Sequence, residues 1–313
     1  MFRPPDAALW HGRVDAEEGP HAIRWHQRVR ALPAGPTEPG LALLGFACDA
    51  DVVRNKGRAG AAAGPAAIRQ SLANLAWHSS RPVFDAGDVV CVNDDLEAAQ
   101  AELGRHVAAL LASGHLPVVL GGGHGTAFGN WQGLAPEAAI QVSTPVIGVI
   151  NFDAHFDLRS SPQASSGTPF RQIAEDCAAR GWPFHYACLG IAECANTAAL
   201  FGKARQLGAW WLTDDSLRLD RLAAVRAQLS HFVAQVDWIY MSLDLDVLPA
   251  AVAPGVSAPA ARGVELAVIE ALVDDLLASR KLRSADIVEL NPAYDIDQRT
   301  ARVAARLIWK LAR

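Results

Sequence analysis

The chain has 313 residues, 51% of them hydrophobic, and a net charge of −5 at neutral pH. That is ample apolar material for a large buried sheet, and the acidic balance, with no basic block, argues against a nucleic-acid surface. No stretch approaches membrane-spanning length and residues 1–10 hold no apolar signal core, so the expected setting is the cytoplasm, with no membrane partner.

Residues 1–40 are polar and irregular and close on Pro33, Pro36 and Pro39. They read as an arm packed on one catalytic domain, residues 41–313, with Trp10-His11-Gly12-Arg13 and Arg24-Trp25-His26-Gln27 laying their tryptophans on it. Leu41–Ala47 is the first strand. It runs into a Gly/Ala-rich loop, Asp49–Gly64, that carries Arg54, Lys56 and Arg58, and Pro65 then opens a helix. Val83–Val90 reads as a peripheral strand. Asp94-Asp95 starts a helix that ends at Gly114. Further strands are expected at 116–120, 145–150, 185–191, 209–213, 238–243 and 285–290, with helices at about 217–235, 264–279 and 300–311. Strands alternating with helices imply an α/β fold, a parallel sheet covered on both faces. The five cysteines, Cys48, Cys91, Cys177, Cys188 and Cys194, lack Cys-x-x-Cys spacing and read as reduced thiols.

Three of these strands finish in potential metal ligands. Leu116–Leu120 opens into Gly121-Gly122-Gly123-His124-Gly125, Pro145–Ile150 into Asn151-Phe152-Asp153-Ala154-His155-Phe156-Asp157, and Trp238–Leu243 into Asp244-Leu245-Asp246. One such residue alone is as easily a turn or a cap. Three strands ending this way supply a site at the carboxyl end of an open sheet. Alternation in extended backbone is expected to point Asp153, His155 and Asp157 the same way. Two imidazoles and four carboxylates would repel one another unless cations lay between them, and the set suits two ions. Oxygen-rich and thiol-free, it favours Mn2+ over structural zinc. Paired ions lower the pKa of water, so the reaction type is metal-assisted hydrolysis.

The motifs Gly-Gly-Gly-His (121–124), Asp-Ala-His-Phe-Asp (153–157), Ser-Leu-Asp-Leu-Asp (242–246) and Val-Glu-Leu-Asn-Pro (288–292) resemble the ureohydrolase superfamily of arginase and agmatinase. The resemblance implies a three-layer α/β/α domain with an eight-stranded parallel sheet, two Mn2+ per chain and homo-oligomeric assembly. It places His124, Asp153, Asp157 and Asp244 on one ion and Asp153, His155, Asp244 and Asp246 on the other, with Asp153 and Asp244 bridging. Residues 10–15, 24–27, 54–58 and 165–171 are most similar to the formimidoylglutamase branch, which cleaves N-formimidoyl-L-glutamate to L-glutamate and formamide in histidine breakdown. Other ureohydrolases, which release urea from guanidino substrates, and a non-catalytic homologue are the alternatives. Phe170 falls where arginases and agmatinases carry a proton-shuttling His, and Gly125 falls where a larger polar residue is expected.

In this reading Asp157 protonates the leaving nitrogen and Glu289 accepts hydrogen bonds from the amidinium. A substrate with two carboxylates calls for cations, and Arg58, Arg159 and Arg171 are the candidates because guanidinium matches carboxylate in a bidentate way. Ser166, Thr168 and Asn196 lie in polar loops at the site end of the sheet and are candidate substrate contacts.

Overall fold

The computed structural model describes residues 1–79 and 81–313. Its strands are β1 (Phe2–Arg3), β2 (Arg30–Ala31), β3 (Leu41–Ala47), β4 (Val83–Val90), β5 (Leu116–Gly121), β6 (Ile147–Phe152), β7 (His185–Ile191), β8 (Trp210–Thr213), β9 (Trp238–Asp244) and β10 (Leu282–Val288). All belong to one sheet, and the run β4-β3-β5-β10-β9-β6-β7-β8 is parallel throughout. These eight are the strands expected from the sequence. Two short strands of the arm, β1 antiparallel and β2 parallel, add to β4.

The helices are α1 (Ala50–Arg54), α2 (Gly64–Ala73), α3 (Leu96–Ala112), α4 (Thr126–Gln141), α5 (Pro169–Arg180), α6 (Ala198–Gln206), α7 (Leu222–Ala234), α8 (Leu266–Ala278) and α9 (Arg299–Leu311). Successive strand residues feed opposite faces, as the pleat requires. Ile150 and Phe152 of β6 pack with Ile68 and Leu72 of α2, Val225 of α7, Leu272 of α8 and Ile308 of α9. Ile147 and Val149 pack instead with Trp131 of α4, Ile173 of α5 and Leu200 of α6. Helices therefore cover both faces, the α/β/α arrangement.

The arm lies against α2 and β4. Trp25 is fully buried beside Trp77, and the Trp10 indole N–H donates to Asp85 at 2.7 Å. Arg13 N–H and the His26 ring bond Asn74 and Ala73 at the end of α2, so both tryptophan motifs serve docking. Asp95 caps α3 through the Ala98 amide, and Gly114 ends that segment at φ 79°. Besides the arm strands and the helices α4 and α6, which were not expected, three stretches differ from expectation. The loop 49–64 contains α1. The polar loop after β6 ends earlier than Arg171, because Pro169 starts α5 and carries Phe170 and Arg171 into its first turn. The helix expected from Leu217 begins at Leu222, after a 3-10 turn.

Candidate metal centre

Because β5, β10, β9 and β6 are neighbours in that order, their carboxyl ends stand in a row. His124 follows β5, Glu289 follows β10, Asp244 and Asp246 close β9, and Asp153, His155 and Asp157 follow β6. All six expected donors meet there. His124 Nδ1 lies 3.2 Å from Asp153 Oδ2, 3.0 Å from Asp157 Oδ2 and 3.1 Å from Asp244 Oδ2. His155 Nδ1 lies 3.0 Å from Asp246 Oδ2 and 3.4 Å from Asp153 Oδ1. Five of the donors fall into two groups, His124-Asp153-Asp157 and Asp153-His155-Asp246, which share Asp153, and Asp244 stands beside the first with its Oδ2 3.1 Å from His124 Nδ1.

The expected cause of this convergence was wrong for one segment. β6 stops at Phe152, so strand alternation does not aim Asp153, His155 and Asp157 together. A turn does so instead: Asp153 Oδ1 accepts the His155 amide at 2.6 Å, and Asp157 takes a left-handed φ of 48°. The same device recurs after β9, where Asp244 Oδ1 accepts the Asp246 amide at 2.8 Å. Each strand-end aspartate thus spends one oxygen on its own turn and turns the other, Oδ2, toward His124.

A further set of residues holds the ligands. Ser242 Oγ donates to Asp286 at 2.5 Å, so it accepts from His124 Nε2, which lies 2.9 Å away. Nε2 therefore carries a proton, and Nδ1 faces the carboxylates. Asp286 also accepts from Asn130 and Tyr240. Asn151 donates to Asp153 Oδ2 at 2.9 Å. Phe170 is buried edge-on to His124 and stacked on Tyr186, so it is a packing surface for the ligand imidazole. Ser242 and Asn151 stood inside the motifs read from the sequence without a role; Asp286 is mid-strand and only the pairing of β10 with β9 reveals it.

The electrostatics are unbalanced. Burial lifts Asp246 to about 6 and, with the charges of Asp246 and Asp153, pushes Asp244 well up. Burial opposes charge on His155, yet the Asp246 and Asp153 carboxylates drive it up to about 12; Asp153, Asp157 and Asp244 raise His124 in the same way. Glu289 rises to about 8 through burial and the nearby Asp51. Although three carboxylate oxygens ring His124 Nδ1, it is aligned for a hydrogen bond to none of them. Three oxygens gathered round one nitrogen without a hydrogen bond are suited to a shared cation, and the residues present fit divalent metal.

The substrate candidates divide. Asn196 accepts the Phe156 amide and donates to the Ala154 and Ala192 carbonyls, which holds the 153–157 turn. Thr168 bonds Ser165 and Gln172 at the start of α5. Arg58 stacks on Tyr294 and donates to the Ser257 and Val256 carbonyls. Arg171 grips Glu175 and the Arg159 and Ser161 carbonyls. Ser166 accepts from Asn55 at 3.1 Å. Arg159 is exposed, its side chain lying over Gly167. Glu289 adopts φ 70° and accepts the His124 amide at 2.8 Å, so it faces the centre under backbone strain.

An α/β/α sandwich with a carboxylate–imidazole centre at its parallel strand ends defines a class of metal-site hydrolase folds. The chain belongs to the arginase family, which it matches over residues 39–313. It is 58% identical to the formimidoylglutamase of Aeromonas salmonicida, across 98% of this chain and 97% of that one. It is 56% identical to the formimidoylglutamase of Chromobacterium violaceum, across 98% of each. Among solved structures, Trypanosoma cruzi formiminoglutamase with Mn2+ is 25% identical and superposes with a TM-score of 0.76, covering 99% of this chain and 98% of that one. Formimidoylglutamase of Bacillus subtilis, 23% identical, shares the fold with a TM-score of 0.84 over 96% and 93%.

Proposed function

We propose that this chain hydrolyses N-formimidoyl-L-glutamate to L-glutamate and formamide in the cytoplasm, as a homo-oligomer with two Mn2+ per chain. The observation that carries the reading is the intact donor set: three aspartates and two histidines in two groups that share Asp153, with Asp244 beside His124 at 3.1 Å. His124, Asp153, Asp157 and Asp244 would hold one ion, and Asp153, His155, Asp244 and Asp246 the other. Ions so held bring the pKa of water toward neutrality, the chemistry that hydrolysis of an amidine needs.

The chain's own groups do the rest. Water adds to the formimidoyl carbon, and the carbon–nitrogen bond to glutamate breaks once that nitrogen gains a proton. Asp157 would deliver it: its Oδ2 stands 3.0 Å from His124 Nδ1, beside the point where water adds, so its carboxylate can take a proton from that water and pass it to the leaving nitrogen. Glu289 gives one oxygen to the His124 amide and keeps the other for the amidinium N–H groups. Its raised pKa reflects a buried carboxylate lacking a counter-ion, which a cationic amidine supplies. Arg159, exposed beside Gly167, would meet the substrate carboxylates.

Incubating Mn2+-loaded protein with formimidoylglutamate, agmatine and guanidinobutyrate, and measuring formamide and urea, tests this. Formamide from the first substrate alone is expected. Urea from a guanidino substrate at a greater kcat/KM would reassign the substrate, and no product with two ions bound would remove the activity.

A further inference from the structure

We infer that Asp51 is a positioning residue of the centre, and that it holds His124 in register through the backbone of the glycine that follows it. Asp51 lies in the first turn of α1 and is fully buried. Its Oδ2 accepts the Gly125 amide at 2.6 Å, while Glu289 accepts the His124 amide from the other side at 2.8 Å. Two successive amides at the start of α4 are thus each bonded to a carboxylate, one from α1 and one from the end of β10. The dipole of the 16-residue α4 favours both. Between them the backbone of His124 has little freedom, and the Nδ1 position follows from that backbone.

The glycines on either side of His124 have the same cause. A Cβ at residue 125 would sit 2.7 Å from Asp51 Oδ2 and 2.9 Å from Asp51 Cβ, and one at residue 123 would strike the same carboxylate and Val52. Asp51 occupies the volume where a larger residue at position 125 would stand, which accounts for the glycine there. Filling that volume alone would favour an apolar side chain, since a buried carboxylate is costly unless bonded. An acid is explained by the amide it receives. Asp51 also reaches the other side of the site, because its carbonyl accepts the Ser166 amide at 3.1 Å and Asn55, which caps the end of α1, donates to Ser166 Oγ. The ligand turn and the loop that faces substrate are therefore tied to one residue.

This inference rests on the two-metal reading and is tested by Mn2+ stoichiometry and affinity rather than by turnover. Asp51→Ala should weaken the His124-side ion about 10- to 100-fold, the usual loss when a supporting residue is removed. It should retain one ion where wild type retains two. Asp51→Asn, whose amide oxygen still accepts the Gly125 N–H, should recover most of that affinity. Gly125→Ala, which drives the carboxylate off the amide, should match Asp51→Ala. Asp246→Ala removes a ligand from the other ion, so the double variant Asp51→Ala/Asp246→Ala should hold none. Wild-type affinity in Asp51→Ala, an Asn variant as weak as Ala, or one ion left in the double variant would each overturn the inference. Fewer than two ions in wild type would overturn the two-metal reading and this inference with it.

Discussion

Two of the places where the molecule buries charge are built on opposite rules. Between α2 and β4, Arg69 donates to Asp88 at 2.7 Å, to Asp85 at 2.9 Å and to the Gly87 carbonyl at 2.9 Å, while the other Asp85 oxygen takes the Trp10 indole. There a guanidinium faces the acids, and both Asp85 oxygens have partners. At the strand ends four aspartates crowd two histidines, and His124 Nδ1 touches three oxygens without bonding one. Acids paired to a facing guanidinium are what structure requires. A surplus of carboxylate, held in place by turns and a serine–aspartate relay, is what a site requires, because the missing charge is the ligand's.

The contrast is sharpest in what each cluster loses on mutation. Asp153 belongs to both donor groups, so Asp153→Ala should lose both ions and lower kcat by about 10^3-fold or more; metal analysis alongside a formamide assay reads this, and two ions retained would break the assignment. Asp246→Ala should lose one ion and most of kcat. Arg69→Met should do the reverse: it strands the Asp85 carboxylate and costs about 3–5 kcal/mol of stability, seen as a lower Tm, with metal content per folded chain unchanged. Next in size is substrate binding. Arg159→Ala should raise KM about 10-fold or more at constant metal content. Arg171→Ala, whose guanidinium already grips Glu175 and loop carbonyls, should raise it less; a larger effect from Arg171 would exchange their roles.

The smallest expected effect is on pH dependence. In metal-free protein Asp246, Glu289 and His155 are all raised, to about 6, about 8 and about 12. Each folded group binds its proton more tightly than the unfolded chain does. The stabilisation is complete below the unfolded values of 3.8, 4.5 and 6.5 and fades as pH climbs through the folded ones. Asp153 shifts the other way, but its loss is confined to acid below 3.8. Metal-free protein should therefore melt several degrees lower at pH 9 than at pH 6. The rise in Tm on adding Mn2+ should grow over that range, because the ion binds deprotonated ligands. A flat or inverted profile in calorimetry would mean the centre carries no surplus charge.

The parallel strands were legible because each is an apolar run of a few residues closed by a turn former, and the six donors because they close three of those runs. Convergence was legible but its cause was not. Extended alternation and a side-chain-to-amide turn both bring Asp153 and His155 to one place, and periodicity does not distinguish them. α5 was hidden because Pro169 reads as loop punctuation as well as a first helical position. Asp51 was hidden because its partner is a backbone amide 74 residues away, and amides leave no trace in composition. The arginines had the chemistry expected of a carboxylate clamp, but for Arg58 and Arg171 nearby carbonyls and Glu175 claimed the guanidinium first.

β1 and β2 consist of two residues each, yet they are the outermost hydrogen-bonding partners of β4. Without them eight residues of apolar-rich strand would present unpaired N–H and C=O groups along an open flank, which is a template for another chain to add to. Phe2–Arg3 and Arg30–Ala31 thus act as a guard against intermolecular strand addition, and a chain shortened past residue 31 would be prone to aggregate even with its metal ligands untouched.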